Sequence, residues 1–135
     1  MIRQVLNVSD RMRLDCYSIA NSSAGNMESV YYCLCDWVNK YGRVMFVWEK
    51  DSVIYGFLVG HSLKKLAQVD NLYVDKRFQR AGIGTELLRA YEEYARKVGA
   101  ISISLQSRAT VQAKNFYIKN GYHQISPSRF MEKTL

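Results

Sequence analysis

Hydrophobic positions recur with a period of two in some stretches and of three to four in others, and the two kinds alternate from end to end of the chain. Residues 2–6 read as a short strand. Ser9 can cap a helix whose apolar positions Met12, Cys16, Ile19 and Ala20 fall at helical spacing, and the polar stretch 21–26 is expected to end it. Val30, Cys33, Leu34, Trp37, Val38 and Tyr41 share one helical face, which predicts a single amphipathic helix closed by Gly42. β-Branched and aromatic runs at 44–49 and 52–61, separated by Lys50 and Asp51, predict an antiparallel hairpin, and 66–74 a third strand after a loop over 62–65. Ile83, Leu87, Leu88, Tyr91, Tyr94, Ala95 and Val98 mark a long helix that Gly99 closes, and Ile101, Ile103 and Leu105 alternate as a strand. Thr110 can cap a last helix carrying Val111, Ala113, Phe116 and Tyr117; Asn120 and Gly121 end it, and two short strands around Pro127 finish the chain. The expected order is β-α-α-β-β-β-α-β-α-β-β, a mixed α/β (α+β) pattern without a linker, and hence one domain over residues 1–135.

Composition narrows the class. With 48% hydrophobic and 23% charged residues the chain can bury a core, unlike a disordered one. The cysteines Cys16, Cys33 and Cys35 are odd in number and lack C-x-x-C spacing, so no disulfide framework is expected and a reducing cytoplasm fits. His61 and His123 are isolated, and no metal is expected. No signal-peptide pattern follows Met1, and the longest apolar run, residues 53–60, is far short of the ~20 needed to cross a bilayer, so no membrane partner is expected. The net charge is +7, and residues 76–135 hold eleven of the nineteen Lys and Arg but four of the twelve Asp and Glu. An anionic partner suits that half, with Lys76, Arg77 and Arg80 the candidates for long-range attraction.

The informative stretch begins where the strand 66–74 ends. A short loop leads to Gln79, and Gly82 and Gly84 open the long helix. A helix start presents unpaired N–H groups and the positive end of the helix dipole, and glycines let an anion approach the backbone. A dinucleotide fingerprint is excluded because Leu87 stands where its third glycine belongs, and a P-loop because Gly84 is followed by Thr85 without a lysine. Gln79, Gly82 and Gly84 after a strand ending Leu72-x-Val74 instead match Q/R-x-x-G-x-G/A, which resembles motif A of the GNAT superfamily of acyl-CoA-dependent N-acetyltransferases. Downstream, residues 113–122, with Ala113, Phe116, Tyr117, Gly121 and Tyr122, resemble the family's A-x-x-F-Y-x-x-x-G-F/Y segment. The two motifs together are more specific than either alone.

The resemblance implies a GNAT-type fold, with a strongly twisted mixed sheet of about six or seven strands flanked by about four helices, splayed open after the strand 66–74 to hold acetyl-CoA. It implies that backbone groups of Leu72, Tyr73 and Val74 pair with the pantetheine arm. Gln79, Arg80, Ala81, Gly82, Ile83, Gly84 and Thr85 are implied to hold the pyrophosphate, and Thr110 and Asn115 to add cofactor contacts. Lys76 stands where the family commonly has proline and Arg80 where it has glycine, so the loop is expected to use backbone angles open to side chains, above all at position 80. Thr110 stands where asparagine is frequent.

The implied reaction is acetyl transfer from acetyl-CoA to a primary amine of a small molecule, peptide or protein, by direct attack through a tetrahedral intermediate. Tyr117 matches the position that often protonates the leaving thiolate, and its phenol, ordinarily titrating near ~10, is protonated at neutral pH. Backbone N–H near Tyr73 or Val74 is implied as the oxyanion donor. For the base, Gln68 occupies a position where some members have glutamate; Asp70, two residues on and hence on the same strand face, is the candidate, with Glu28, Asp36 and Glu49 as other carboxylates. Tyr31, Tyr32, Trp37 and Tyr41 are implied to border the acceptor pocket or belong to the core. Both monomer and homodimer are compatible with the chain. The competing class is a non-catalytic module that binds CoA, or nucleic acid through the basic half, the latter being less expected; strong salt dependence would mark it.

Overall fold

The structure is a computed structural model, and it describes residues 1–25, 27–108, 110–125 and 129–135. The described elements are β1 (Ile2–Val5), α1 (Asp10–Ala24), α2 (Glu28–Cys35), a π-helical turn (Asp36–Lys40), β2 (Val44–Lys50), β3 (Val53–Leu63), β4 (Leu66–Val74), a 3₁₀ turn (Lys76–Phe78), α3 (Ile83–Lys97), β5 (Ser102–Gln106), α4 (Val111–Lys119), β6 (His123–Gln124) and β7 (Phe130–Thr134). The strands form one sheet in the order β1-β2-β3-β4-β5-β7-β6. All pairings are antiparallel except β4 with β5. This is the expected mixed α/β architecture of a GNAT-type fold, and β6 and β7 flank Pro127, which itself lies outside the described residues.

The sheet is buried on both faces. Against one face, α3 buries Ile83, Leu87, Leu88, Tyr91 and Ala95 with Phe46, Leu58, Ala67 and Val69. Against the other, α1 and α2 bury Cys16, Ile19, Val30 and Leu34 with Met45, Val47, Phe57 and Val59. Burial of this much apolar surface is the main favourable term holding the layers together.

Several boundaries differ from expectation. α1 runs through the polar stretch to Ala24, because nothing there forbids helix until Gly25, whose positive φ of 70° lets its N–H bond the Asn21 carbonyl at 2.9 Å. The second helix is not uniform: beyond Cys35 it widens to a π turn. Asn39 on that turn accepts from the Val8 N–H (2.7 Å) and donates to the Val8 carbonyl (3.0 Å), a two-point clamp that holds it against the β1–α1 connection. Cys35, not Cys33, packs against the core there. The loop expected over 62–65 is a two-residue turn, since Leu63 pairs with Leu66 and Lys64 takes a φ of 56°. Val98, Ile101 and Val111, expected on apolar faces, are exposed at element ends.

Candidate active site

β4 changes character halfway along. Residues Leu66 to Val69 pair with Ser102 to Leu105 of β5, and the pairing stops there, while β4 continues on β3 to Val74 and β5 continues on β7. At the junction the β3–β4 ladder slips: Gly60 pairs with Val69 and Val59 with Asn71, so Asp70 is an extra, bulged residue. The bulge reverses the strand's parity. Ala67 and Val69 face the α3 core before it, and Leu72 and Val74 face it afterwards. Tyr91 of α3 braces this point by donating from its hydroxyl to the carbonyls of Gln68 (2.8 Å) and His61 (3.1 Å). Gly60 leaves room for it, because a Cβ there would lie 2.5 Å from the Tyr91 ring.

Beyond the junction a cavity of about 740 Å³ opens between the strand ends, within the size range of small-ligand pockets. The start of α3 forms one end. The loop enters through a 3₁₀ turn in which Asp75 accepts from the Arg77 N–H at 3.0 Å, so Lys76 fits without proline. Arg80 then adopts a φ of 71° and Gly82 a φ of 81°. The expectation of ordinary backbone angles at position 80 is therefore corrected: the loop keeps the left-handed conformation that suits glycine, and Arg80 carries a strain of about 1–2 kcal/mol. Unlike α1 and α4, capped by Ser9 and Thr110, α3 has no side chain on its first N–H groups. Those donors, the dipole and the unpaired edge of β4 fit the pyrophosphate and pantetheine of a coenzyme A thioester.

Of the residues singled out from sequence, Asp70, Leu72, Tyr73, Val74, Gln79, Arg80, Gly82, Ile83, Gly84, Thr85, Thr110, Asn115 and Tyr117 line this cavity; Ala81 is exposed outside it. Thr110 caps α4 by accepting from the Ala113 N–H at 3.1 Å. Gly84 is a close-approach glycine, since a Cβ would meet the Phe116 ring at 3.1 Å. Glu28, Asp36 and Glu49 do not line the cavity, and neither do Tyr31, Tyr32, Trp37 and Tyr41; Glu49 is bound by Arg3 at 2.8 Å, and Tyr32 is 72% exposed.

Two phenols face the gap. Tyr117 packs its ring edge-on to Phe116 and Tyr122, and burial, then the nearby Tyr73, pushes its hydroxyl well above the ordinary tyrosine value. Tyr73 is also raised by burial, against a hydrogen bond from Asn71 and the charge of Arg108, and its hydroxyl reaches Met27 Sδ at 3.6 Å. Both are protonated donors throughout the neutral range. Sequence reasoning missed Ser23 and Arg108, which bring the end of α1 over the cavity: Gln79 donates to Ser23 Oγ at 3.1 Å, and Arg108 to the Ser23 carbonyl at 3.4 Å. No local pattern marks contacts across 56 and 85 residues. Among the described residues no cluster of His, Cys, Asp and Glu is arranged for a metal, and no helix is long and apolar enough to cross a membrane.

A strand pair that opens beside an uncapped, glycine-started helix, with two protonated phenols on the opening, defines the acyltransferase class of cleft. The chain belongs to the acetyltransferase (GNAT) family, whose model matches residues 11–122. No curated protein matches the sequence. Among solved structures, the chain is similar to PaiA N-acetyltransferase from Thermoplasma acidophilum in complex with coenzyme A, at 19% identity and a TM-score of 0.76 over 100% of this chain and 99% of that one. It is similar to the ribosomal-protein-S18-alanine N-acetyltransferase of Escherichia coli, at 16% identity and a TM-score of 0.79 over 99% and 94%. It is also similar to an aminoglycoside 6′-N-acetyltransferase complexed with coenzyme A, at 15% identity and a TM-score of 0.81 over 99% and 96%.

Proposed function

We propose that this chain transfers an acetyl group from acetyl-CoA to a primary amine of a small molecule or peptide. The observation that carries the reading is the parting of β4 from β5 after Val69 and Leu105, directly beside the uncapped start of α3. Leu72, Tyr73 and Val74 supply backbone hydrogen-bonding groups to the pantetheine arm, and the loop from Gln79 to Thr85 supplies N–H donors to the pyrophosphate. The acceptor amine attacks the thioester carbonyl from the Asp70 side of the cavity. Backbone N–H near Tyr73 or Val74 stabilises the oxyanion, and Tyr117 gives its proton to the departing sulfur. The raised phenol pKa keeps the Tyr117 proton in place throughout the neutral range. Acceptors acetylated by relatives, an aminoglycoside and a ribosomal-protein alanine, frame the amine classes to screen.

Calorimetric titration with acetyl-CoA tests the donor half without knowledge of the acceptor. Saturable one-site binding is expected, followed by thiol release with an amine. A folded protein that takes up no acetyl-CoA at about millimolar concentration, a level that would detect a binding free energy near −4 kcal/mol, would remove the acetyltransferase reading.

A further inference from the structure

Two donors on the α1 side of the cavity are poorly matched by their protein partners. Arg108, just past the end of β5, is exposed and lines the cavity. Its one hydrogen bond among the described residues goes to the Ser23 carbonyl at 3.4 Å, near the limit for such a contact, and no carboxylate among them pairs with it. A guanidinium has five N–H donors in a planar fork that matches a carboxylate. Tyr73 packs on the α1 and α2 layer, and its hydroxyl donates to the Met27 thioether at 3.6 Å, a weak acceptor. The two donors are close enough to interact: burial raises the Tyr73 phenol, and a hydrogen bond from Asn71 and the charge of Arg108 oppose that rise.

The charges around the cavity decide which acceptors suit it. Among the described residues that line it the cations are Arg80, Arg108 and Lys119, and Asp70 is the one acid. Asp70 Oδ2 is already engaged by His61 Nδ1 at 2.7 Å and by Arg43 at 3.7 Å, so its other oxygen is left for one ammonium group. We infer that the acceptor is a small amine with a carboxylate close to its amino group, the chemistry of a free amino acid, and that Arg108 and the Tyr73 hydroxyl hold that carboxylate. The inference rests on the acetyltransferase reading and names the acceptor class within it. A polycation such as an aminoglycoside or a polyamine brings several ammonium groups to a lining with an excess of cations, and is disfavoured. An amino acid brings one ammonium for the Asp70 side and one carboxylate for the Arg108 fork, and leaves neither protein charge unmatched.

Two measurements on the full chain test it. In thiol-release assays with acetyl-CoA, the common L-amino acids are each run beside the matching α-amide, with kanamycin and spermidine as polycationic probes. At least one amino acid is expected to exceed its amide about 30-fold in kcat/KM, and both polycations to be poorer than it. Arg108→Gln should bring that ratio close to unity, and Arg108→Lys, which keeps the charge without the fork, should restore part of it. Amides or polycations used as well as every amino acid overturn the inference, and so does a panel in which no amino acid is acetylated. In calorimetry, Arg108→Gln is expected to bind acetyl-CoA within about threefold of the parent; a larger loss assigns Arg108 to the cofactor and also overturns it. A parent that binds no acetyl-CoA speaks against acetyl transfer itself, whereas a parent that binds it and favours no amino acid speaks only against the Arg108 site.

Discussion

Two carboxylates of this molecule meet the same problem in opposite ways. Glu92, on α3, is 4% exposed and uses both oxygens inside the protein: Oε2 accepts from the Tyr122 hydroxyl at 2.9 Å and Oε1 from Lys133 Nζ at 3.0 Å. Lys133 also donates to the Asn120 carbonyl at 2.9 Å, so one cluster ties α3, the exit of α4 and β7. Asp70 has an 18% exposed side chain and directs only Oδ2 at His61 and Arg43, its cavity side left open. A sealed charge must have every partner in place, and such a cluster registers elements against one another. A charge on a rim can leave part of its capacity to a ligand. Tyr117 of α4 and Tyr122 just past its end repeat the contrast: burial and the Glu92 charge lift the Tyr122 phenol, which is committed to that carboxylate, while Tyr117 faces the cavity.

The sharpest break in this comparison is Glu92→Ala, which strands Lys133 and Tyr122 and should cost about 3–5 kcal/mol of stability in urea unfolding. A loss under about 1 kcal/mol would place Glu92 in the same class as an exposed pair. Next, Tyr117→Phe should reduce turnover about 100-fold with the unfolding midpoint and acetyl-CoA affinity little changed; unaltered turnover removes Tyr117 as the acid. Tyr122→Phe should do the reverse, costing about 1–2 kcal/mol of stability with turnover retained. Arg80→Gly should raise stability by about 1 kcal/mol by relieving the left-handed backbone, which thermal unfolding can read. The smallest effect belongs to exposed pairs. Arg3 lowers the Glu49 pKa from 4.5, and Arg77 lowers that of Asp75 from 3.8. Their contribution is present above those values and is lost as pH falls through the lowered ones, so Arg3→Ala should move the acid-unfolding midpoint slightly upward.

Where a constraint is local, it is legible in sequence. The glycines at the head of α3, the Thr110 cap and the alternation of apolar residues each depend on neighbours within one turn or one strand, and the element order follows from them; the motif resemblance implies about half of the residues that line the cavity. The Asp70 bulge is invisible in Val69-Asp70-Asn71, because it is imposed from α3 by Tyr91 and from β3 by Gly60. The π turn arises from Asn39 gripping Val8, 31 residues away. Arg80 shows the limit of a substitution read one residue at a time: the surrounding loop holds its geometry, and the side chain bears the strain.

The parity reversal in β4 also has an evolutionary consequence. Elsewhere a strand can gain or lose a pair of residues and still present the same faces. Here, removal of Asp70 alone would heal the ladder and restore strict alternation, with Ala67, Val69, Leu72 and Val74 still facing α3 and Tyr73 still facing the opposite layer. A descendant lacking that one residue would keep the surfaces its letters spell and lose only the carboxylate, so the chain can add or drop a charge on the cavity wall without repacking either layer.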